Sequence, residues 1–136
     1  MYTFTIIKPN SFDKTEQILQ RILFEGFQVL GIRSVFLDKT KAEKFYSIHK
    51  DKDFFDDLIK FMTSGPITIC VLKKENGVND FRNLIGDTDP KEAKPGTIRG
   101  MYGTDIAKNA IHGSDSDENA KKEILFFFPE MVKTIQ

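Results

Sequence analysis

His112 stands in the run Asn109 to Ser116, NAIHGSDS, and a short loop upstream Pro95 to Gly100 reads PGTIRG. An imidazole has an unperturbed pKa of about 6.5, so much of it is neutral and nucleophilic at physiological pH. Gly113 leaves the ring open to approach. Ser114, Asp115 and Ser116 follow at a helix start, where free backbone N–H groups favour anions. Arg99 adds a planar fork that pairs with phosphate oxygens. Together these residues point to phosphoryl chemistry on a histidine.

Such a ring needs a neighbour to orient its second nitrogen, and Ser114, Asp115 and Glu123 are the candidates. Arg82, Thr88 and Arg99 bracket one irregular loop and are spaced so that its folding over gathers them around phosphates. Phosphoryl transfer depends on that positioning and charge neutralisation. Lys8 closes an apolar strand, in IIKP. Tyr46 and Phe54 flank the charged turn HKDKD, His49 to Asp53, where stacking on a base competes with ordinary core packing. His49 itself reads as a surface or helix-end residue. The chain has no P-loop, GxGxxG, HExxH, CxxC or GxSxG, so any nucleotide phosphates must be held another way.

These residues need a frame. Tyr2 to Ile7 is β-rich and stops at Pro9. A helix is predicted over residues 13–25, with Asp13 and Glu16 at capping-box spacing, an apolar face of Ile18, Leu19, Ile22 and Leu23, and Gly26 to end it. Phe27 to Leu37 reads as a second strand with a bend at Gly31. Helices over 40–48 and 53–63 follow, then the apolar run Pro66 to Leu72, the pattern of a strand covered on both faces. A helix near 77–85 leads into an irregular stretch from Gly86 to Gly103, long enough to suggest function. Ser116 or Ser114 caps a helix over 117–124, and Leu125 to Phe128 is the predicted last strand. This order fits a single α+β domain over residues 1–136. Its fold class is a ferredoxin-like split βαβ sandwich, an antiparallel sheet with helices on one face.

Bulk properties narrow the function. Of 136 residues 40% are hydrophobic and 13 are Phe, enough for one real core. Twenty basic residues balance twenty acidic ones, which speaks against a polyanion or membrane-surface binder but leaves room for a small phosphate site. Cys70, the only cysteine, sits in an apolar run, so neither a disulfide framework nor a cysteine-rich metal site is expected. MYTFTIIKP is too short and polar for a signal peptide, and no apolar run nears the roughly 18 residues of a membrane span. A cytoplasmic location is the expectation.

Taken in order, IIKP, FYSIHKDKDFF, FMTSGP, PGTIRG and NAIHGSDS resemble the nucleoside diphosphate kinases over nearly the whole chain. The resemblance implies a ferredoxin-like fold. It also implies γ-phosphate transfer from a nucleoside triphosphate such as ATP to a diphosphate such as GDP, by ping-pong through a phosphohistidine, with broad base and sugar tolerance. By the same resemblance His112 is the nucleophile, through Nδ1, with Ser114 and Glu123 supporting it and Tyr46 beside the transferred phosphate. Lys8 contacts ribose hydroxyls and phosphate, and Asn109 the sugar 3′-hydroxyl. Arg82, Thr88 and Arg99 bind phosphate, and Phe54 and Ile106 face each other across the base. Asp115 reaches, through water, the Mg²⁺ that arrives with the nucleotide rather than in a protein cage. Asn10 stands where most members have aspartate, and Lys108 where arginine is common. The segment after Phe128 is short for the family. A homo-oligomer is implied, a hexamer ahead of a tetramer.

A non-catalytic nucleotide- or protein-binding module is the alternative from another class, but every matched position is filled. A phosphorelay or single-stranded nucleic-acid binder on the same fold is disfavoured by the balanced charge and the lack of an aromatic–basic stripe, so no dedicated nucleic-acid site is expected.

Overall fold

The structure, a computed structural model, describes residues 1–135. Its sheet holds β1 (Tyr2–Ile7), β2 (Gln28–Phe36), β3 (Pro66–Lys73) and β4 (Ile111–Gly113). All pairings are antiparallel, in the order β2-β3-β1-β4. The helices are α1 (Thr15–Phe24), α2 (Lys39–Phe45), α3 (Phe55–Met62), α4 (Gly77–Ile85), α5 (Ile98–Tyr102) and α6 (Asp117–Phe127). The crossovers β1-α1-β2 and β3-α4-β4 are the two halves of the expected split βαβ.

Alternation along the strands sorts the core into two layers. Ile7, Cys70 and Leu72 meet Ile18 and Ile22 of α1 and Phe81, Leu84 and Ile85 of α4. Phe4, Ile6, Ile67, Ile69 and Val71 face the other way, against α2, α3 and α6. Thus α1 and α4 supply the sandwich face that the fold class requires, and α2, α3 and α6 also cover the second face. This double cover is why β3 reads as a continuous apolar run, and it buries Cys70, whose thiol is pushed up to about 12 by burial.

Several local expectations need correction. The first helix starts at Thr15, because Pro9 opens a 3₁₀ turn over Pro9–Lys14, and no Asp13 cap forms. Gly26 does end the helix, at φ 93°. The 40–48 helix breaks at Tyr46 into α2 and a 3₁₀ turn, Ser47–His49. The irregular stretch contains α5, whose Thr97 hydroxyl accepts from the Gly100 amide at 3.2 Å. The last strand is not Leu125 to Phe128: α6 runs on to Phe127, burying Ile124 and packing Phe127 on Phe4 at 5.3 Å. The edge beside β1 is taken instead by β4, with Ile6 opposite His112.

Candidate active site

β4 is only three residues long, yet its pairing with β1 places His112 at the sheet edge, where α6 returns past it. Ser116 caps α6 by accepting from the Asn119 amide at 3.1 Å. That start brings Glu123, two turns along, to the ring: His112 Nε2 lies 2.8 Å from Glu123 Oε1. A carboxylate only accepts, so Nε2 carries the proton and donates. Ser114 Oγ donates to the same oxygen at 2.6 Å. Of the three orienting candidates Glu123 takes the role directly and Ser114 indirectly, while Asp115 instead accepts from Asn119 Nδ2 at 2.6 Å. With Nε2 occupied, Nδ1 holds the ring's lone pair. Phe45 sets its edge against the imidazole at 5.8 Å and Phe4 lies 6.2 Å away, so the ring's plane is held as well as its tautomer.

A cleft of about 880 Å³ opens in front of the ring. Among the expected residues Tyr46, Arg82, Thr88, Arg99, Asp115 and Glu123 line it with His112. Arg99, on α5, donates to the Gly86 carbonyl at 3.0 Å and to the Ile111 carbonyl at 2.9 Å, which fastens the irregular loop to β4. Burial, then neighbouring Arg82, lowers its guanidinium to about 10 against the opposing pull of Asp87, so it stays charged at neutral pH. Arg82 is exposed on the cleft wall. Tyr46 is buried with its hydroxyl unpartnered, and burial followed by the Glu123 carboxylate holds the phenol above its usual range. It is a protonated donor awaiting an acceptor.

Lys8 and Asn109 adjoin this cleft as a buried pair. Lys8 Nζ donates to Asn109 Oδ1 at 2.7 Å, and Asn109 Nδ2 donates to the Thr88 carbonyl at 3.0 Å. The Lys8 ammonium is pushed down to about 7, first by burial and then by Arg99. The pair hangs on a kinked backbone: Ala110 has φ 79°, where a Cβ is strained, while its carbonyl accepts from the Lys8 amide at 2.8 Å. A β-branched residue fits there still less well. Ala110→Val is expected to cost about 1–3 kcal/mol in urea unfolding, whereas Ala110→Gly stays near neutral.

Phe54 sits on the rim, half exposed, with its ring 5.4 Å from that of His49. Ile106 is 60% exposed on the loop between α5 and β4 and is not drawn into the cleft wall. Sequence reasoning missed His49, which lines the cleft, and Phe45 and Asp87. It also missed Asn119, though its place four residues after Asp115 across a helix start was a usable signal.

Sheet order and crossover helices define a ferredoxin-like α+β fold. The nucleoside diphosphate kinase family model matches residues 1–132. The nucleoside diphosphate kinase of Salinibacter ruber is 48% identical over 130 residues, covering 94% of this chain and 92% of its own. That of Anaeromyxobacter sp. (strain K) is 50% identical over 131 residues, 95% and 89% of the two chains. Among solved structures, the Aquifex aeolicus enzyme superposes with a TM-score of 0.90 at 42% identity over 93% of this chain and 94% of its own. The Halobacterium salinarum enzyme, in complex with CDP, gives 0.90 at 37% identity over 94% and 87%. The chain belongs to the nucleoside diphosphate kinase family. It is a phosphotransferase acting between nucleotides.

Proposed function

We propose that the enzyme passes the γ-phosphate of a nucleoside triphosphate to a nucleoside diphosphate by ping-pong, through a phosphohistidine on His112 Nδ1. The carrying observation is the Glu123–Nε2 hydrogen bond, which commits the other ring nitrogen to attack. In the first half-reaction the Nδ1–P bond forms as the bond from phosphorus to the bridging oxygen breaks, and the electron pair leaves with the diphosphate. Glu123 offsets the positive charge that develops on the ring. Arg82, Arg99, Lys8 and the Tyr46 hydroxyl neutralise the phosphate oxygens. The second diphosphate reverses these steps and frees the imidazole.

Lys8 and Asn109 take the sugar hydroxyls and Phe54 the base face, with Ile106 opposite once nucleotide is bound. A stacking surface and sugar contacts carry no base code, which supports broad tolerance of base and sugar, and the CDP complex of the Halobacterium relative supports a pyrimidine in this cleft. Mg²⁺ enters as part of the substrate. Asp115 would reach it through water, a reading supported by its exposure on the cleft wall, where it is tied to Asn119. The open edge of β2, with Phe36 77% and Ile32 48% exposed, supports a homo-oligomer. Among the described residues no helix is long and apolar enough to cross a membrane, and we assign the enzyme to the cytoplasm.

Initial rates with ATP and GDP varied together test the mechanism. Parallel double-reciprocal lines are expected. Intersecting lines require a ternary complex and contradict it.

Lys8 gives the binding step a pH dependence. Its amine is mostly neutral above pH 7 in the free protein, and a bound polyphosphate favours the charged form. Binding therefore takes up a proton, and affinity weakens by up to about tenfold per pH unit as pH rises above 7. Calorimetry at pH 8.5 in buffers of different ionisation enthalpy checks the uptake.

A further inference from the structure

We infer that Asn10 is a positioning residue that sets the spacing of the Lys8–Asn109 pair and so tunes recognition of the sugar 3′-hydroxyl. This rests on the sugar-contact reading proposed above.

β1 and β4 pair Thr5 with Gly113, Ile6 with His112 and Ile7 with Ile111. The same register carries on past both strand ends, where the Lys8 amide donates to the Ala110 carbonyl at 2.8 Å. The next ladder bond in this register would join residue 10 to the carbonyl of Lys108. Pro9 opens the 3₁₀ turn just there and draws the main chain away. The side chain makes the bond instead: Asn10 Nδ2 donates to the Lys108 carbonyl at 3.0 Å.

Because the acceptor is a carbonyl, the amide nitrogen must face it. The amide oxygen is left buried without a partner, an expense that a side chain merely filling space would avoid. The carbonyl of Lys108 also accepts from the Thr104 amide at 2.7 Å, so Asn10 ties a closed turn, not a free strand, to the end of β1. Asn109 lies between the two tethered carbonyls of Lys108 and Ala110. Lys8, its partner, lies two residues before Asn10. Asn10 thus fixes both members without touching either side chain, and it fixes them against the strained backbone at Ala110.

Asn10→Ala removes the donor, and Asn10→Leu keeps the bulk but cannot donate. Each is compared with the wild type in kcat/KM for GDP and for 2′,3′-dideoxy-GDP, with ATP as donor. The ratio of the two values belongs to one preparation, so a partly unfolded variant reports it as well as a stable one. The wild type is expected to prefer GDP strongly. Both variants should shrink that preference about tenfold, by a loss confined to GDP, with KM for GDP raised and the dideoxy value unchanged. An unchanged ratio, or a parallel fall with both substrates, overturns the inference while leaving the sugar-contact reading intact. A wild type that does not distinguish the two substrates removes that reading, and the inference with it.

Discussion

Replacing His112 with alanine is expected to lower kcat/KM by about 10⁴-fold or more while nucleotide affinity stays within about threefold. The asymmetry follows from the division of labour in the cleft. The charge proposed to bind phosphate sits on Arg82, Arg99 and Lys8, which come from α4, α5 and the end of β1, and none of them bonds to the imidazole. The substitution leaves Ser114 donating to Glu123 and removes the Nε2–Glu123 hydrogen bond and the ring contacts with Phe4 and Phe45. The fold should hold, with Tm within a few degrees of wild type by circular dichroism. A loss of binding equal to the loss of rate would instead assign His112 to the phosphate site rather than to the chemistry.

Lys8→Met is expected to move stability and activity in opposite directions. Lys8 is 8% exposed and its pKa falls from 10.5 to about 7. Between those values the unfolded chain binds more protons than the folded one, so stability rises with pH across the window, and below pH 7 the full penalty of the buried charge is present. Methionine keeps the stem and removes the charge, at the cost of leaving Asn109 Oδ1 without its donor. A gain of roughly 1–3 kcal/mol at pH 6 is expected from urea midpoints, vanishing towards pH 10. Over the same substitution kcat/KM should fall about 10²–10³-fold, since one charged donor to the reacting phosphate is lost. A variant less stable at pH 6 would show that Lys8 is held in the fold by its hydrogen bond more than it is strained by burial.

Much of this site was legible because its chemistry is written in short contiguous motifs. NAIHGSDS contains the proposed nucleophile, the serine that donates to Glu123 and the helix cap, and Glu123 follows on the helix so capped. The first crossover showed in strand and helix periodicities, as did β3 and α4 of the second, and the double cover of the sheet showed in the unbroken apolar run of β3. What escaped was set by tertiary pairing. β4 has three residues, two of them His and Gly, and only its register with β1 makes it a strand. Leu125 to Phe127 carry strand-like side chains but continue α6, because Ile124 and Phe128 meet the sheet at helical spacing. His49 and Phe45 acquire neighbours only when α2 and its 3₁₀ turn pack beside β4. The role of Asn10 depends on a ladder register that no local pattern announces.

In the proposed mechanism phosphate rests covalently on His112 between two nucleotides. The most direct measurement is to incubate the protein with γ-labelled ATP and Mg²⁺, remove free nucleotide, and add unlabelled GDP, with His112→Ala alongside. An acid-labile, alkali-stable label that passes to GDP and is absent from the variant is the predicted result. A wild type that binds ATP, takes up no label and still forms GTP would contradict it, since transfer would then be direct.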